Sequence, residues 1–390
     1  MRTGRGEPLL QAAEAMRAMT GSMPEAVAQA FAILGEEAVA LRIADVAKRP
    51  QAPSEAERQL ADAMMQDAHA LPALDTLARR VRDRRIVMIN EAHHVPRHRA
   101  FSAALALRLR EEGFNWFLAE AFAPAISRLT PNTPVKRGMG TYINDPVFAE
   151  GLRRLRDAGY RFAAYDYPDS NTPLARPDMS TEMNGREASA AWHIKALLDR
   201  EPQARIIVHV GFGHIGKHPT VVDGKPLTLL GERLQEVTGV TPFCIDQTYC
   251  SPHSEPGLDY IYLQKTIARF QPTEPVLLRL TGGAPLGVAA YMNDETVLHP
   301  RFEDAFGRPG WRSRLEGVKP IRVDLKLAQA RRCVMLHALS RAEAGSEAVP
   351  SDTLVIQPEM GEAYLMLRPG AYTLQGETRE GVVDLGSLNA

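Results

Sequence analysis

The chain has 390 residues, 45% hydrophobic and 24% charged, proportions of a globular protein long enough for two or three domains, which exclude disorder, collagen and coiled coil. Lysine plus arginine (46) nearly equals aspartate plus glutamate (47), so no net field points to nucleic acid or an acidic membrane as partner. No apolar run approaches the roughly twenty residues that span a bilayer, and three cysteines, Cys244, Cys250 and Cys333, have neither zinc-ribbon spacing nor the number for a disulfide framework, which predicts reduced, buried thiols.

Read from Met1, the first basic residues lead into an amphipathic Gln-Ala-Ala-Glu-Ala-Met-Arg stretch instead of an apolar signal core. The expected location is therefore the cytoplasm, with export requiring a start further upstream. Residues 1–84 form a helical N-terminal region, with Ala26, Ala30, Ile33, Leu34, Ala38 and Leu41 at helical spacing and breaks at Pro24, Pro50 and Pro53. The region holds no chemical cluster and reads as a packing or docking element.

From 85 to 255 the pattern changes. Short apolar runs, Ile86 to Ile89, Trp116 to Ala119, Phe162 to Tyr165, Ile206 to Val210 and Phe243 to Ile245, alternate with helical stretches. Strands apolar on both faces predict a mostly parallel sheet with helices on both faces, an α/β core. Phe101, Ala104, Leu105 and Leu109 mark the first helix, ended by Gly113; Met183 to Leu198 mark another, stopped before Pro202. Residues 272–390 form a β-rich C-terminal unit of short strands, closing on Ala363 to Leu367 and Tyr372 to Leu374, expected to pair through a Pro369-Gly370 turn.

Ligands of open α/β sheets bind beyond the carboxyl ends of the strands. Four successive strand ends here carry acids or imidazoles: Glu91, His93 and His94; Glu120; Asp166; and His209 leading to His214. Convergence under that topology rule is a site hypothesis. The pair Glu91-x-x-His94 sits at a strand-to-helix turn, where a carboxylate fixes an imidazole's tautomer and makes it a general base for water. No Gly-x-Ser-x-Gly elbow occurs, so a serine nucleophile has no support. His214 projects from the glycine-rich loop Gly211-Phe212-Gly213-His214, whose Gly-x-Gly-x-x-Gly spacing follows the fourth strand without a helix after it and is a poor dinucleotide fingerprint. His209 reads as a core histidine or as a partner of His214. Arg186, at a helix start, either holds a substrate carboxylate or orients an active-site glutamate, while Arg97 and Arg99 read as substrate-binding or surface groups. Tyr142, Tyr165 and Tyr167 stand where they can line a pocket.

The ordered series Arg85-Ile-Val-Met-Ile-Asn-Glu91-Ala-His-His94, then a helix, then Gly113-Phe-Asn-Trp-Phe-Leu-Ala-Glu120, then the Arg186 helix and Ile206-Ile-Val-His-Val-Gly-Phe-Gly-His214 resembles the erythromycin esterase and ChaN-like superfamily. The resemblance covers about residues 85–250. The esterase branch implies His94 as the base that activates water against an ester or lactone, Glu91 as its partner, and Glu120, Arg186, His209 and His214 as the groups that shape the site and stabilise charge. The ChaN-like branch binds haem through Glu-x-His, which His93 also satisfies, so the functional histidine stays open between His93 and His94. Related TraB/TIKI-like peptidases imply a divalent metal held by Glu91, His93, His94, Glu120 and His214. Asn90 replaces the family's glycine and is expected to enter the left-handed region in its place. The C-terminal β unit has no counterpart in that pattern.

The leading expectation is a hydrolase of ester, lactone or amide-type bonds in a small molecule or peptide, working without a cofactor. Glu91, His94, Glu120 and His214 are its catalytic groups; His93, Arg97, Asp166, Arg186 and His209 bind substrate. The alternatives are a haem or iron binder and a metal-dependent peptidase. Nothing in the sequence indicates an oligomeric state.

Overall fold

Six short strands form the central sheet: β1 (Ile86–Glu91), β2 (Trp116–Ala119), β3 (Arg161–Ala163), β4 (Ile206–Gly211), β5 (Phe243–Asp246) and β6 (Glu295–Thr296). In the computed structural model, which describes residues 23–166, 182–222, 224–285, 293–343, 345, 347–357 and 360–390, they lie in the order β6-β5-β1-β4-β2-β3. Every neighbouring pair is parallel. The α/β class and the parallel sheet expected from the apolar runs are both present.

Side chains alternate across each strand, and the alternation divides the core in two. Val87 and Ile89 of β1, with Phe117, Phe162 and Ile207, pack with Phe101, Leu105, Leu109, Phe148 and Leu152. These helical residues belong to α1 (Pro96–Glu111) and α2 (Pro146–Asp157). Ile86, Met88, Leu118, Ile206 and Val208 pack instead with Ala191, Ile194, Leu230 and Leu234, from α3 (Glu182–Arg200) and α4 (Leu230–Thr238). Each fully buried Ile, Leu or Phe contributes roughly 1.5–3 kcal/mol. Pro96 opens α1 at its first position, where its missing N–H costs nothing, and Gly113 (φ 88°) reverses the chain after it.

This winding places the carboxyl ends of β1 and β4 side by side, Glu91 opposite Gly211 in the register. Glu120, just past β2, donates its amide to the His209 carbonyl on β4 (2.9 Å). Asn90 does not adopt the left-handed conformation expected of it: it is the penultimate residue of β1 and is absent from the positive-φ positions. Its buried amide has a different task. Nδ2 donates to Asp246 Oδ1 at the end of β5 (2.7 Å) and to the Phe212 carbonyl after β4 (2.9 Å), and Oδ1 accepts from Gln247 N (2.8 Å). A glycine there could not tie three strand ends together.

The N-terminal helices Pro24–Ile33, Glu37–Ala47 and Glu55–Gln66 match the proline breaks, although Pro24 begins a helix rather than ending one. Ser54 and Glu57 form a reciprocal capping box. The strand Ala68–Pro72, which carries no alternating pattern, pairs antiparallel with Val276–Leu280, and Ala73, Leu77 and Val81 of the next helix enter the main core. The C-terminal segment carries a four-stranded antiparallel sheet (Asp352–Val355, Met335–Ser340, Ala371–Glu377, Val382–Asn389) and a ribbon of Lys319–Val323 with Ala363–Leu367. The hairpin expected across Pro369-Gly370 does not form. Ala371–Glu377 is paired on both edges, which leaves Ala363–Leu367 no free edge beside it. All three cysteines are free and buried. Among the described residues, no helix is long and apolar enough to cross a membrane.

Candidate active site

Glu91 ends β1 and is 1% exposed. The first turn of α1 supplies its counter-charge. Arg99 Nη2 donates to Glu91 Oε1 (3.1 Å), Arg99 Nε makes an ion-pair contact with Oε2 (2.7 Å), and Nη1 donates to Asp145 Oδ2 (2.9 Å). Arg99 also donates to the His93 carbonyl (2.7 Å). Burial would raise the Glu91 pKa, but Arg99, with His209 and His93 beside it, outweighs burial and holds the carboxyl well below the ordinary range. Glu91 is therefore an anion at neutral pH.

The imidazole it holds is that of His93. His93 Nδ1 lies 3.0 Å from Glu91 Oε1. An ionised carboxylate only accepts, so Nδ1 carries the proton and the neutral ring leaves its Nε2 lone pair free. The ring stacks on Tyr142 (centroids 4.8 Å apart) and meets the edge of Phe212 (5.0 Å). His94, expected to pair with Glu91, does not. Burial first pulls its pKa down to about 4, with His93, Arg99 and His253 acting in the same direction and only Asp45 opposing, so it is uncharged at neutral pH. The cause is local. Residues 92–95 form a turn closed by Val95 N on the Ala92 carbonyl (2.9 Å), and α1 begins only at Pro96, so no helical turn carries position 94 back over position 91.

The second half of the site lies across Gly211. Glu120 Oε2 accepts from Gly211 N (2.6 Å), and its Oε1 is ion-paired to Arg186. Arg186 is also held bidentately by Asp166 (2.6 and 2.7 Å), which makes it an organiser of acids, one of the two roles expected for it. His214 pairs through Nδ1 with Glu187 of α3, whose side chain is 2% exposed. Glu120, Tyr165, Asp166, Arg186, Glu187 and His214 line a cleft. Gly211 joins the halves, because a Cβ on it would lie 2.5 Å from His93 Cε1 and 2.8 Å from Glu120 Oε2. We predict that Gly211→Ala displaces His93 and lowers turnover on the order of 100-fold; unchanged steady-state kinetics would show that the close approach is dispensable.

His209 is 2% exposed, packed against Phe117 and Phe148, with Nε2 3.5 Å from Glu91 Oε2 and, among the described residues, no hydrogen-bond partner on either ring nitrogen. It backs Glu91 and does not face the cleft. Arg97 is also removed from it: its guanidinium is buried on Glu37 (2.8 and 3.1 Å) and the Pro300 carbonyl, tying the N-terminal helices to the core. Tyr165 donates to the His209 carbonyl (3.2 Å), and Tyr167 lies outside the described residues. Sequence reasoning missed Asp145 and Glu187, buried acids on or beside helices whose only signal is an acidic residue within an otherwise core-facing stretch.

Neither a family model nor a curated protein matches the chain. Among solved structures it is similar in part to RRSP, a MARTX toxin effector domain from Vibrio vulnificus CMCP6, at 15% identity over 49% of this chain and 38% of that one, with a TM-score of 0.31. It is similar also to the type III effector HopBA1, at 16% identity over 46% of this chain and 87% of that one, TM-score 0.32. A likeness this partial carries no argument about activity.

The donor set does not fit a divalent ion as arranged. Both Glu91 oxygens face Arg99, and the Glu120 oxygens are taken by Arg186 and Gly211 N. Among the described residues, no group of three or more His, Cys, Asp or Glu is placed to hold a metal. What the arrangement provides is two imidazole–carboxylate pairs of different character. Burial lowers the His214 pKa, but hydrogen bonding and attraction to Glu187, with Glu120, win and raise it. A raised folded pKa means that this pair's stability is complete below the unfolded value of about 6.5 and is lost as pH rises through the folded value. We predict that wild type loses this component of its urea stability as pH rises above about 6.5 and that Glu187→Gln flattens the dependence; identical slopes in both proteins would remove Glu187 from that role.

Proposed function

We propose that the protein is a hydrolase of ester, lactone or amide-type bonds that uses water activated by an imidazole–carboxylate pair, as the resemblance to erythromycin esterases implies, with His93 in the role first expected for His94. One observation carries the reading. The chain Asp145–Arg99–Glu91–His93 fixes the tautomer and position of an imidazole whose Nε2 has no hydrogen-bond partner among the described residues and lies beside Glu120 and Gly211.

His93 Nε2 takes the proton of a water as its oxygen attacks the carbonyl carbon, and Glu91 stabilises the imidazolium that results. His214, whose protonated form Glu187 favours, donates a hydrogen bond to the developing oxyanion and then a proton to the leaving group. Arg186 keeps Glu120 and Asp166 in place around the substrate. The test is a screen of esters, lactones and N-acyl amides with purified protein, with and without chelator, alongside a hemin titration. Chelator-insensitive turnover supports the reading; no turnover on any class, or a stoichiometric Soret band, overturns it in favour of a binding protein.

A further inference from the structure

Phe212 adopts a conformation that its side chain disfavours. Its φ of 38° lies in the left-handed region, where a bulky side chain is a genuine outlier, yet glycines stand on both sides of it at 211 and 213. A Cβ on Gly213 would meet nothing within 4 Å, so the loop is not crowded, and a glycine at 212 would relieve the strain. The phenyl ring is also 44% exposed, which forgoes the benefit of burying it. Two unfavourable choices at one residue persist only where the surroundings over-determine them. Here Asn90 Nδ2, buried and anchored on Asp246, holds the Phe212 carbonyl at 2.9 Å.

The result of that strain is a partly exposed aromatic ring beside His93. The Phe212 ring stands edge-on to His93 at 5.0 Å and 80°, while Tyr142 covers the imidazole's own face. The ring thus stands partly exposed directly beside the imidazole. The same Asn90 amide reaches Thr248 Oγ1 at 3.4 Å, which draws the loop bearing the exposed Tyr249 (49%) alongside. Phe212 and Tyr249 thus follow the two strands that flank β1, both with exposed rings.

We propose that Phe212 is a specificity-determining residue, packing an apolar and preferably aromatic group carried next to the scissile carbonyl. This rests on the hydrolase reading for its catalytic consequence, but the contact itself is a binding property and is measurable without turnover. Phenylacetamide and acetamide serve as probes of binding, methyl phenylacetate and methyl acetate as probes of turnover. We expect wild type and His93→Ala to bind phenylacetamide detectably more tightly than acetamide. Phe212→Ala should cut that preference at least fivefold, and Phe212→Leu should keep part of it. In turnover, the kcat/KM ratio of the phenyl to the methyl ester should fall at least tenfold in Phe212→Ala. Equal binding of phenylacetamide by wild type and Phe212→Ala, or none by either, overturns the proposal. A binding preference that depends on Phe212 with no hydrolysis by any variant would instead leave the aromatic platform standing and reject the hydrolase.

Discussion

Arg99→Met is expected to be the most destabilising single change in the α/β core, lowering folding stability by about 3–5 kcal/mol, the usual cost of removing one partner from a buried ion pair. The guanidinium is 1% exposed and is shared between Glu91 and Asp145. Methionine fills the volume but leaves two buried carboxylates without their cation. The two acids respond to Arg99 in opposite directions: burial dominates at Asp145 and raises its pKa, whereas at Glu91 the cation and the imidazoles win and lower it. Without Arg99, burial should prevail at both and raise both pKa values. Arg99→Lys keeps the charge but cannot bridge two carboxylates with one planar fork, so it should fall between. Urea unfolding at neutral pH checks the series; a methionine variant within about 1 kcal/mol of wild type would contradict the uncompensated-charge argument.

Glu91→Gln should remove about 10²- to 10⁴-fold of turnover, the range for general acid–base catalysis, with a smaller loss of stability than Arg99→Met because the amide still hydrogen-bonds. The glutamine is neutral, so it neither fixes the proton on His93 Nδ1 nor stabilises the imidazolium formed when Nε2 takes a proton. Its stability cost should also depend on pH. Because the folded Glu91 pKa is depressed, its stabilising contribution is present above the unfolded value of about 4.5 and lost as pH falls through the folded value. The difference between wild type and Glu91→Gln should therefore shrink in acid. A variant that keeps wild-type kcat would remove Glu91 from the mechanism.

Much of this was legible in the residues. Apolar runs at Ile86, Trp116 and Ile206 placed three strands to within a residue or two of their ends, and the rule that sites lie at carboxyl ends selected Glu91, Glu120 and His214. Spacing alone could not choose among neighbours. Glu91 ends β1 and His93 lies in the turn that Val95 N closes on the Ala92 carbonyl, ahead of α1, whereas Glu-x-x-His presupposes a helix that has not begun. Arg97 and Arg99 lie about 200° apart on α1, so one reaches Glu37 and the other Glu91; which faces the site depends on where the N-terminal helices dock. The strand Val382–Asn389 was invisible because Asp384, Gly386 and Ser387 interrupt its apolar residues, and its pairing with Ala371–Glu377 is decided by the sheet.

Parallel kinetics of His93→Ala and His94→Ala, on any ester, lactone or amide the wild type turns over, decide which imidazole works with Glu91. With the base at position 93, His93→Ala should lose about 10²- to 10⁴-fold in kcat/KM while His94→Ala keeps turnover within an order of magnitude of wild type. Loss confined to His94→Ala, with His93→Ala as active as wild type, would contradict the account.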